Sequence, residues 1–477
     1  MSLGYEEAIG SLHTIDPAWP RPAVLDVLEA PENRHLLDFV QEDPFGAHVF
    51  PGNVPGTPAE FLRDLDAQLA ASAGPIHLWS YIPTCAYRCR FCQYPVVLVK
   101  GKIEKAADWV DLNIAEARLW LEAVPHLAGA EVGEFNVFGG TPSLLPEPEI
   151  RRLLEFYRSN FGFTADTTIR FEGDPSTFTP AKLELLRELG CTKLSSGVQS
   201  FDDHVLTLCG REHTARMCVD FVRNAKAAGF EWVSIDLMYG LLDQTLDSVR
   251  RDLDVVLENE VTAVVCTKLH LASYSDTRTG VTGEKPAAWQ LPSYRDKLVR
   301  DGHRWPTLGE QYQMRELLTE GLRAAGYTEH PTMYFARDGL GPEKWKAIMV
   351  DQDKQGPEVA IGLGGSSSCR ASEAITDVNS KRYTETVRSG GIPLGSATKF
   401  TPEAQEARAV KMALTTLQPV RDSVHRERFP GRSLFAEPWL GKFRSLESRG
   451  LVRLSPDVVE LTPAGEVLVE AIITTEL

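Results

Sequence analysis

The chain predicts an α/β fold built on a parallel sheet, and two observations carry that expectation. Between residues 75 and about 275, apolar runs of strand length alternate with amphipathic helices six times. Strands and helices alternating in this way argue for a parallel sheet. Three cysteines in eight residues, Cys85-Ala-Tyr-Arg-Cys89-Arg-Phe-Cys92, directly follow the first of those strands. In a parallel barrel the chemistry gathers at the carboxyl ends of the strands. Six units fit either an incomplete (β/α)6 barrel or part of a complete one, and spacing alone does not separate them.

The elements follow in order. Residues 1–74, with the loop-rich run Pro51-Gly-Asn-Val-Pro-Gly56, form an N-terminal extension expected to cap one barrel end. Strands are expected at Ile76–Ile82, Glu134–Phe138, Thr167–Glu172, Lys193–Gln199, Trp232–Met238 and Ala263–Leu271. The helices between them are Ala106–Ala123, Glu147–Asn160, Pro180–Leu189, Ala215–Ala228 and Leu246–Glu258, each with apolar residues three and four apart. From about residue 331 a third region begins. It ends in a helix (435–450), two strands (451–454 and 458–461) and a helix (462–473), a winged-helix-like pattern. The division 1–74, 75–330 and 331–477 agrees with about three units for this length at ~150 residues each.

Composition narrows the class. With 43% hydrophobic residues the chain can build a large core. It has no run of about 18 apolar residues to span a membrane, and Met1-Ser-Leu-Gly-Tyr-Glu-Glu lacks the regions of a secretory signal. A net charge of −16 argues against nucleic-acid or anionic-membrane partners. The winged pattern also has no basic stripe, so it reads as a lid or docking domain. Cys191, Cys209, Cys218, Cys266 and Cys369 are scattered without framework spacing and read as buried thiols of a cytoplasmic protein.

The cysteine spacing C-x3-C-x2-C carries the chemistry. A structural zinc site takes four protein ligands, and a four-iron cluster normally takes four thiolates. Three thiolates on such a cluster leave one iron open to a small molecule. Other polar residues fall at strand ends: Gly139-Gly140-Thr141-Pro142 after the second strand, Glu172 after the third, Gln199 after the fourth and Asp236 after the fifth, with Arg211 twelve residues past Gln199. Each alone reads as a cap, a turn or a salt bridge. Together they place acid, amide, cation and acid around one mouth, and the glycines allow close backbone approach and exposed amides. The fork of Arg211 suits a carboxylate. His270, Tyr239 and Tyr274 are weaker candidates for proton or radical handling, since a lone histidine carries little information.

The cysteine motif, with Phe91 before its third cysteine, resembles that of radical S-adenosylmethionine (SAM) enzymes. Gly197-Val-Gln199-Ser-Phe, Arg211-Glu212, Asp236-Leu-Met-Tyr239-Gly240, Gln244-Thr245, Tyr334-Phe-Ala-Arg337 and Ile361-Gly-Leu-Gly364 sharpen the resemblance to the HemN-like, oxygen-independent coproporphyrinogen III oxidase family over about residues 75–477. It implies the partial (β/α)6 TIM-like barrel. It implies a [4Fe–4S] cluster on Cys85, Cys89 and Cys92, an electron donor such as flavodoxin or ferredoxin, and two SAM molecules. Gly139, Gly140, Thr141, Glu172, Gln199, Arg211 and Asp236 would hold the first SAM. Gly140, Met238 and Phe335 match positions that would contact the second.

The chain departs from the porphyrinogen oxidases themselves, which carry a further cysteine where Tyr94 stands, a tyrosine at Trp79 and a histidine at Tyr81. The resemblance is therefore nearest the C-methyltransferase and cyclopropanase branch. That branch implies methylation or cyclopropanation of an sp2 carbon in a natural-product precursor, with the second SAM as carbon donor. The alternative is oxidative decarboxylation of a propionate-bearing tetrapyrrole, with Arg278, Arg337 and Lys346 as carboxylate partners. A haem chaperone is the third reading, but its His-Asn-x-x-Tyr-Trp stretch is missing from Trp345–Val359. The substrate pocket is expected between the N-terminal extension, the sixth strand and Tyr334–Arg337.

Overall fold

The computed structural model describes residues 4–42, 53–71, 74–271, 286–337 and 357–477. Six strands, β1 (Ile76–Ile82), β2 (Glu131–Gly139), β3 (Gly162–Gly173), β4 (Lys193–Gln199), β5 (Trp232–Tyr239) and β6 (Ala263–Lys268), lie side by side in chain order. Every neighbouring pair is parallel, with Ile82 opposite Gly139, Gly173 opposite Ser196, Gly197 opposite Asp236 and Tyr239 opposite Lys268. The carboxyl ends therefore share one rim. Bounds for β1 and β4 agree with the sequence expectation, while β2 and β3 begin earlier, in residues without an apolar run. The last strand stops at Lys268, short of Leu271. Beyond it the Leu269 amide turns to the Tyr239 carbonyl (2.9 Å) and the His270 carbonyl accepts from Gln93 (3.1 Å).

Helices Lys105–Ala123, Glu147–Asn160, Pro180–Glu188, Ala215–Ala227 and Leu246–Glu258 cover the outer face. Three start on a threonine whose hydroxyl accepts an orphan amide of the first turn: Thr179, Thr214 and Thr245. Their apolar faces and the outward residues of the strands meet in one core with Trp120, Phe135, Tyr157, Phe171 and Phe221 fully buried. Burial of such a side chain contributes about 1.5–3 kcal/mol. The inner face differs, because His77, Glu134, Asn136, Arg170, Lys193 and Ser195 point into the barrel. There Lys193 pairs with Glu134 at 3.0 Å, both buried.

The sheet runs past the six strands on both sides. Beside β6 lie β7 (Tyr327–Glu329) and β8 (Tyr334–Arg337), with β8 antiparallel to β6. Beside β1 lies β9 (Glu358–Ile361), which pairs parallel and is followed outward by antiparallel strands to Leu394–Phe400 and Asn53–Gly56. The boundary expected at residue 330 thus falls between β7 and β8, which pair with each other. Strand pairing across distant segments leaves no mark in local spacing.

The N-terminal helices Tyr5–His13, Val24–Glu29 and Arg34–Glu42, expected to cap one barrel end, pack chiefly against helix Leu308–Ala324 and the C-terminal region. Leu12, Leu25, Leu36 and Leu37 share a second core with Tyr312 of helix Leu308–Ala324 and with Leu414, Leu434, Trp439 and Ile472 of the C-terminal region. The extension touches the barrel rim where the Lys268 ammonium donates to the Val40 carbonyl (3.0 Å). The winged pattern is present as helix Trp439–Ser448 and the antiparallel strands Val452–Ser455 and Val458–Leu461. Two short helices, Pro463–Val467 and Val469–Thr475, end it. No helix among the described residues is long and apolar enough to cross a membrane.

Candidate functional site

The loop after β1 carries the three cysteines and is fastened on two sides. Val97 and Val99 amides donate to the Pro83 (2.7 Å) and Cys85 (3.0 Å) carbonyls, and the Arg90 amide donates to the Cys209 carbonyl (2.9 Å). Cys85, Cys89 and Cys92 line one cavity of about 430 Å³ at the carboxyl rim. The Thr141 hydroxyl donates to Cys85 Sγ (3.5 Å) and Arg211 Nη1 to Cys89 Sγ (3.1 Å). Burial pushes the Cys85 thiol up to about 12, and burial with the nearness of Cys89 pushes Cys92 up to about 11.

The glycine run has a different task from the one its sequence suggests. Gly139 sits at φ +124°, and a Cβ there would lie 2.9 Å from the Ile82 carbonyl oxygen. At Gly140 it would lie 2.6 Å from the Thr84 carbonyl oxygen. The Gly140 and Thr141 amides donate to those same two carbonyls, at 2.9 and 2.7 Å. The run therefore clamps the root of the cysteine loop against β2, and these amides are not available to a zwitterion as expected from sequence.

Behind the cysteines lies a charged layer. Arg211 Nη2 donates to Asp174 Oδ2 (3.1 Å) and to the Gly197 carbonyl, and His213 Nδ1 lies 3.2 Å from the same Asp174 oxygen. Tyr87 donates to Asp174 at 2.5 Å. Burial alone would raise the Asp174 carboxyl, yet the His213 hydrogen bond and the Arg211 charge hold it well below the usual carboxylate range. On the inner face Arg170 pairs with Glu172. Asp236 has no hydrogen-bond partner among the described residues, and burial together with Glu172 raises its carboxyl to about 7. Gln199 takes a positive φ of +66°, and its buried Oε1, like buried Arg211 Nε, has no partner.

Glu172, Gln199, Arg211 and Asp236 thus meet the three cysteines on one cavity wall. Two other sequence candidates do not. Phe335 is 0% exposed and sits in the main core, because neighbours in β8 alternate in direction and it is Tyr334 that faces the cavity. Met238 joins Leu208, Leu269 and Trp289 in a small apolar cluster off that wall. Of the weaker candidates, Tyr239 and His270 line a neighbouring chamber, and Tyr274 lies outside the described residues. Arg337 pairs with Glu260 (3.7 Å) at the amino-terminal end of β6, the far end of the barrel from the rim, so it cannot meet a substrate there. Arg278 and Lys346, together with Trp345 and its neighbours, lie outside the described residues.

The neighbouring chamber, about 360 Å³, shares Tyr94, Val265, Thr267 and Tyr334 with the first. Val40 of the extension, Lys268 at the end of β6, His270 just beyond it, Arg315 of helix Leu308–Ala324 and Glu470 of the last helix close its far side. Sequence reasoning found this pocket's neighbourhood but not Arg315 or Glu470, which come from elements remote in the chain. It also passed over Asp174, Arg170 and Tyr87. The Glu172-Gly-Asp174 spacing was a usable sign for the first, since both acids fall at the end of β3.

This constellation, three thiols on the loop after the first of six parallel strands with acid, amide and cation around the same rim, defines the radical SAM class. Residues 79–256 match the radical SAM superfamily, so the chain carries a radical SAM domain, and coproporphyrinogen oxidases and haem chaperones are among the proteins it is similar to. It is 33% identical to the oxygen-independent coproporphyrinogen III oxidase of Escherichia coli K12, over 42% of this chain and 45% of that one. The aligned stretch thus spans less than half of that relative. It is 26% identical to the Pseudomonas aeruginosa protein of the same name over 83% of this chain and 84% of that one. It is 23% identical to the heme chaperone HemW of Bacillus subtilis, over 81% and 95%. The solved structure of E. coli HemN shares the fold with a TM-score of 0.72 at 24% identity, over 87% of this chain and 94% of that one.

Radical SAM proteins use a [4Fe–4S] cluster and SAM, and the residues present fit both. Cys85, Cys89 and Cys92 converge on the cavity, and no fourth thiol lines it among the described residues. The unpartnered Gln199 Oε1, Arg211 Nε and Asp236 carboxylate are the buried groups a polar, cationic ligand would satisfy. Arg211 has less to offer than its sequence suggests, because both of its terminal nitrogens are engaged.

Proposed function

We propose that this chain is a HemN-like radical enzyme that removes a hydrogen atom from a carboxylate-bearing small molecule held in the second chamber. When bound and reduced, the cluster and SAM supply a carbon radical that abstracts hydrogen from a nearby C–H bond. Cys85, Cys89 and Cys92 would hold the cluster. Glu172, Gln199 and Asp236 would orient the SAM, with Arg211 positioned over Cys89 by Asp174.

The adjoining chamber carries this reading. It adjoins the first across Tyr94, Val265, Thr267 and Tyr334, so a substrate there would lie beside the rim, with helices from both ends of the chain on its far side. Lys268, which donates to the Val40 carbonyl, and Arg315, 3.7 Å from Glu329, stand on its wall with Glu470, and their positive charge suits a carboxylate. The relatives named for coproporphyrinogen oxidation point the same way. A second reading, methylation or cyclopropanation with a second SAM in that chamber, is favoured by the aromatic residues Trp79, Tyr81 and Tyr94 where porphyrinogen oxidases differ. A flavodoxin- or ferredoxin-type donor would supply the electron.

Anaerobic turnover with methyl-deuterated SAM separates the two. Oxidation of the substrate yields 5′-deoxyadenosine free of deuterium, with carbon dioxide if a propionate is lost. Deuterium in 5′-deoxyadenosine, together with S-adenosylhomocysteine, would establish the methyl-transfer reading instead. A chaperone would bind haem and give neither product pattern.

A further inference from the structure

We infer that His204, Asp243 and His303 form a site for a divalent first-row cation, Zn²⁺ foremost, on the outer rim away from the cysteines. Their ligand atoms all lie within 4.8 Å of one another. His204 Nε2 is 3.1 Å and His303 Nδ1 is 2.7 Å from the same oxygen, Asp243 Oδ2. A tetrahedral ion with bonds of about 2.0–2.1 Å has ligand-to-ligand edges of roughly 3.4 Å, so a small adjustment admits it. The cation would replace protons that the two rings now direct at one carboxylate oxygen. Two imidazoles and a carboxylate are a borderline donor set, matched to Zn²⁺ or Fe²⁺ and, by affinity order, to Zn²⁺.

The carboxylate is held ready for this. Its other oxygen, Oδ1, accepts the Arg304 amide at 2.7 Å, leaving Oδ2 as a single ligand atom, and Asp243 itself sits at φ +58°. The His204 side chain is 61% exposed, so a fourth position faces solvent. The three ligands belong to three segments: the helix Asp203–Cys209, the loop after β5, and the approach to helix Leu308–Ala324. A cation here would staple the start of that long helix, which carries Tyr312 and Arg315 into the second chamber.

The test uses full-length, cluster-loaded protein washed with chelator and then titrated with Zn²⁺. The expected result is one Zn²⁺ per chain with a melting temperature that rises on binding, and a zinc X-ray absorption edge showing only nitrogen and oxygen neighbours. His204→Gln on the exposed side and Asp243→Gly, which suits the positive φ, should each weaken binding by more than about 100-fold, the upper end of the loss from a mere supporting partner. Reconstitution with excess Fe²⁺ should leave one iron beyond the cluster's four in the parent and not in the variants. Absence of bound zinc, equal binding by the variants, or sulfur in the zinc shell would overturn the site.

Discussion

The two chambers are neighbours that share a wall, yet they are made in different ways. The cysteine chamber is assembled from successive strand ends of one β/α series, so its residues recur at the spacing of that series. The second is closed by Val40, Lys268, Arg315 and Glu470, which are brought together only by tertiary packing. The first is also electrostatically committed: Arg211, Asp174, His213, Tyr87 and Cys89 form one buried network. The second draws its polar groups from separate elements, with Lys268 on the Val40 carbonyl and Arg315 paired with Glu329. On the proposed reading, cofactor chemistry belongs to the built chamber and substrate choice to the assembled one.

The most drastic way to break the comparison is Cys89→Ser. With one of three thiolates gone, the cluster should fail to assemble, and SAM cleavage should fall to background. Iron per chain and anaerobic 5′-deoxyadenosine formation check this, and a full iron complement in the variant would remove the cluster assignment from this loop. The second chamber should be unaffected, so the variant's melting curve should stay close to the parent's after both are stripped of iron.

Arg211→Met addresses the network beside the cluster. It leaves Asp174 buried with the His213 ring and the Tyr87 hydroxyl as its remaining partners, and breaking a buried pair typically costs about 3–5 kcal/mol. Denaturant unfolding of the iron-free proteins should show that loss, and Asp174→Asn combined with Arg211→Met should recover part of it. Equal stability of the single variant and the parent would mean that the network contributes nothing.

Asp236 gives a pH signature. Its carboxyl titrates near 7 in the fold because of burial and the neighbouring Glu172, against 3.8 as the ordinary value. Being raised, it favours the fold fully below about pH 3.8, and that advantage is lost as pH climbs through 7. Asp236→Asn, which cannot ionise, should therefore gain on the parent between pH 4 and 7 and hold the gain above, by about 4 kcal/mol at most. Melting temperatures at pH 5 and pH 8 read the gap. A constant gap would show that Asp236 is ionised in the fold throughout.

These contrasts explain what could be read in advance. The six strands were legible because each carries outward apolar residues and alternates with an amphipathic helix, and β1 and β4 agree to the residue. The cysteines, Glu172, Gln199, Arg211 and Asp236 were legible because topology fixes where strand ends go. Phe335 turned to the buried side of β8 because successive residues of a strand face opposite ways and a motif does not encode which; Met238, on the same face of β5 as Asp236, lies further along it in the apolar cluster with Leu208 and Trp289. The amides of Gly140 and Thr141 were misjudged because a glycine serves backbone packing as readily as a ligand. Glu470 and Arg315 were invisible, since nothing local marks a residue that closes a pocket from a distant helix.

The gentlest probe is Lys268→Met, and it tests the assembled chamber alone. Lys268 sits one step beyond the shared wall, lines the second chamber, and ties the extension to the rim through the Val40 carbonyl. If a substrate carboxylate meets this ammonium, the variant should raise KM about tenfold, the loss expected of one charged hydrogen bond of about 1.5 kcal/mol. Substrate-independent SAM cleavage and iron content should not move, because no cysteine-chamber residue is touched. A purely structural role predicts the opposite split: kcat and thermal stability would fall while KM stayed put, since a loosened extension would admit water without weakening the carboxylate contact. The same change in a substrate lacking its carboxylate should then be silent in KM, which ties the effect to that one group.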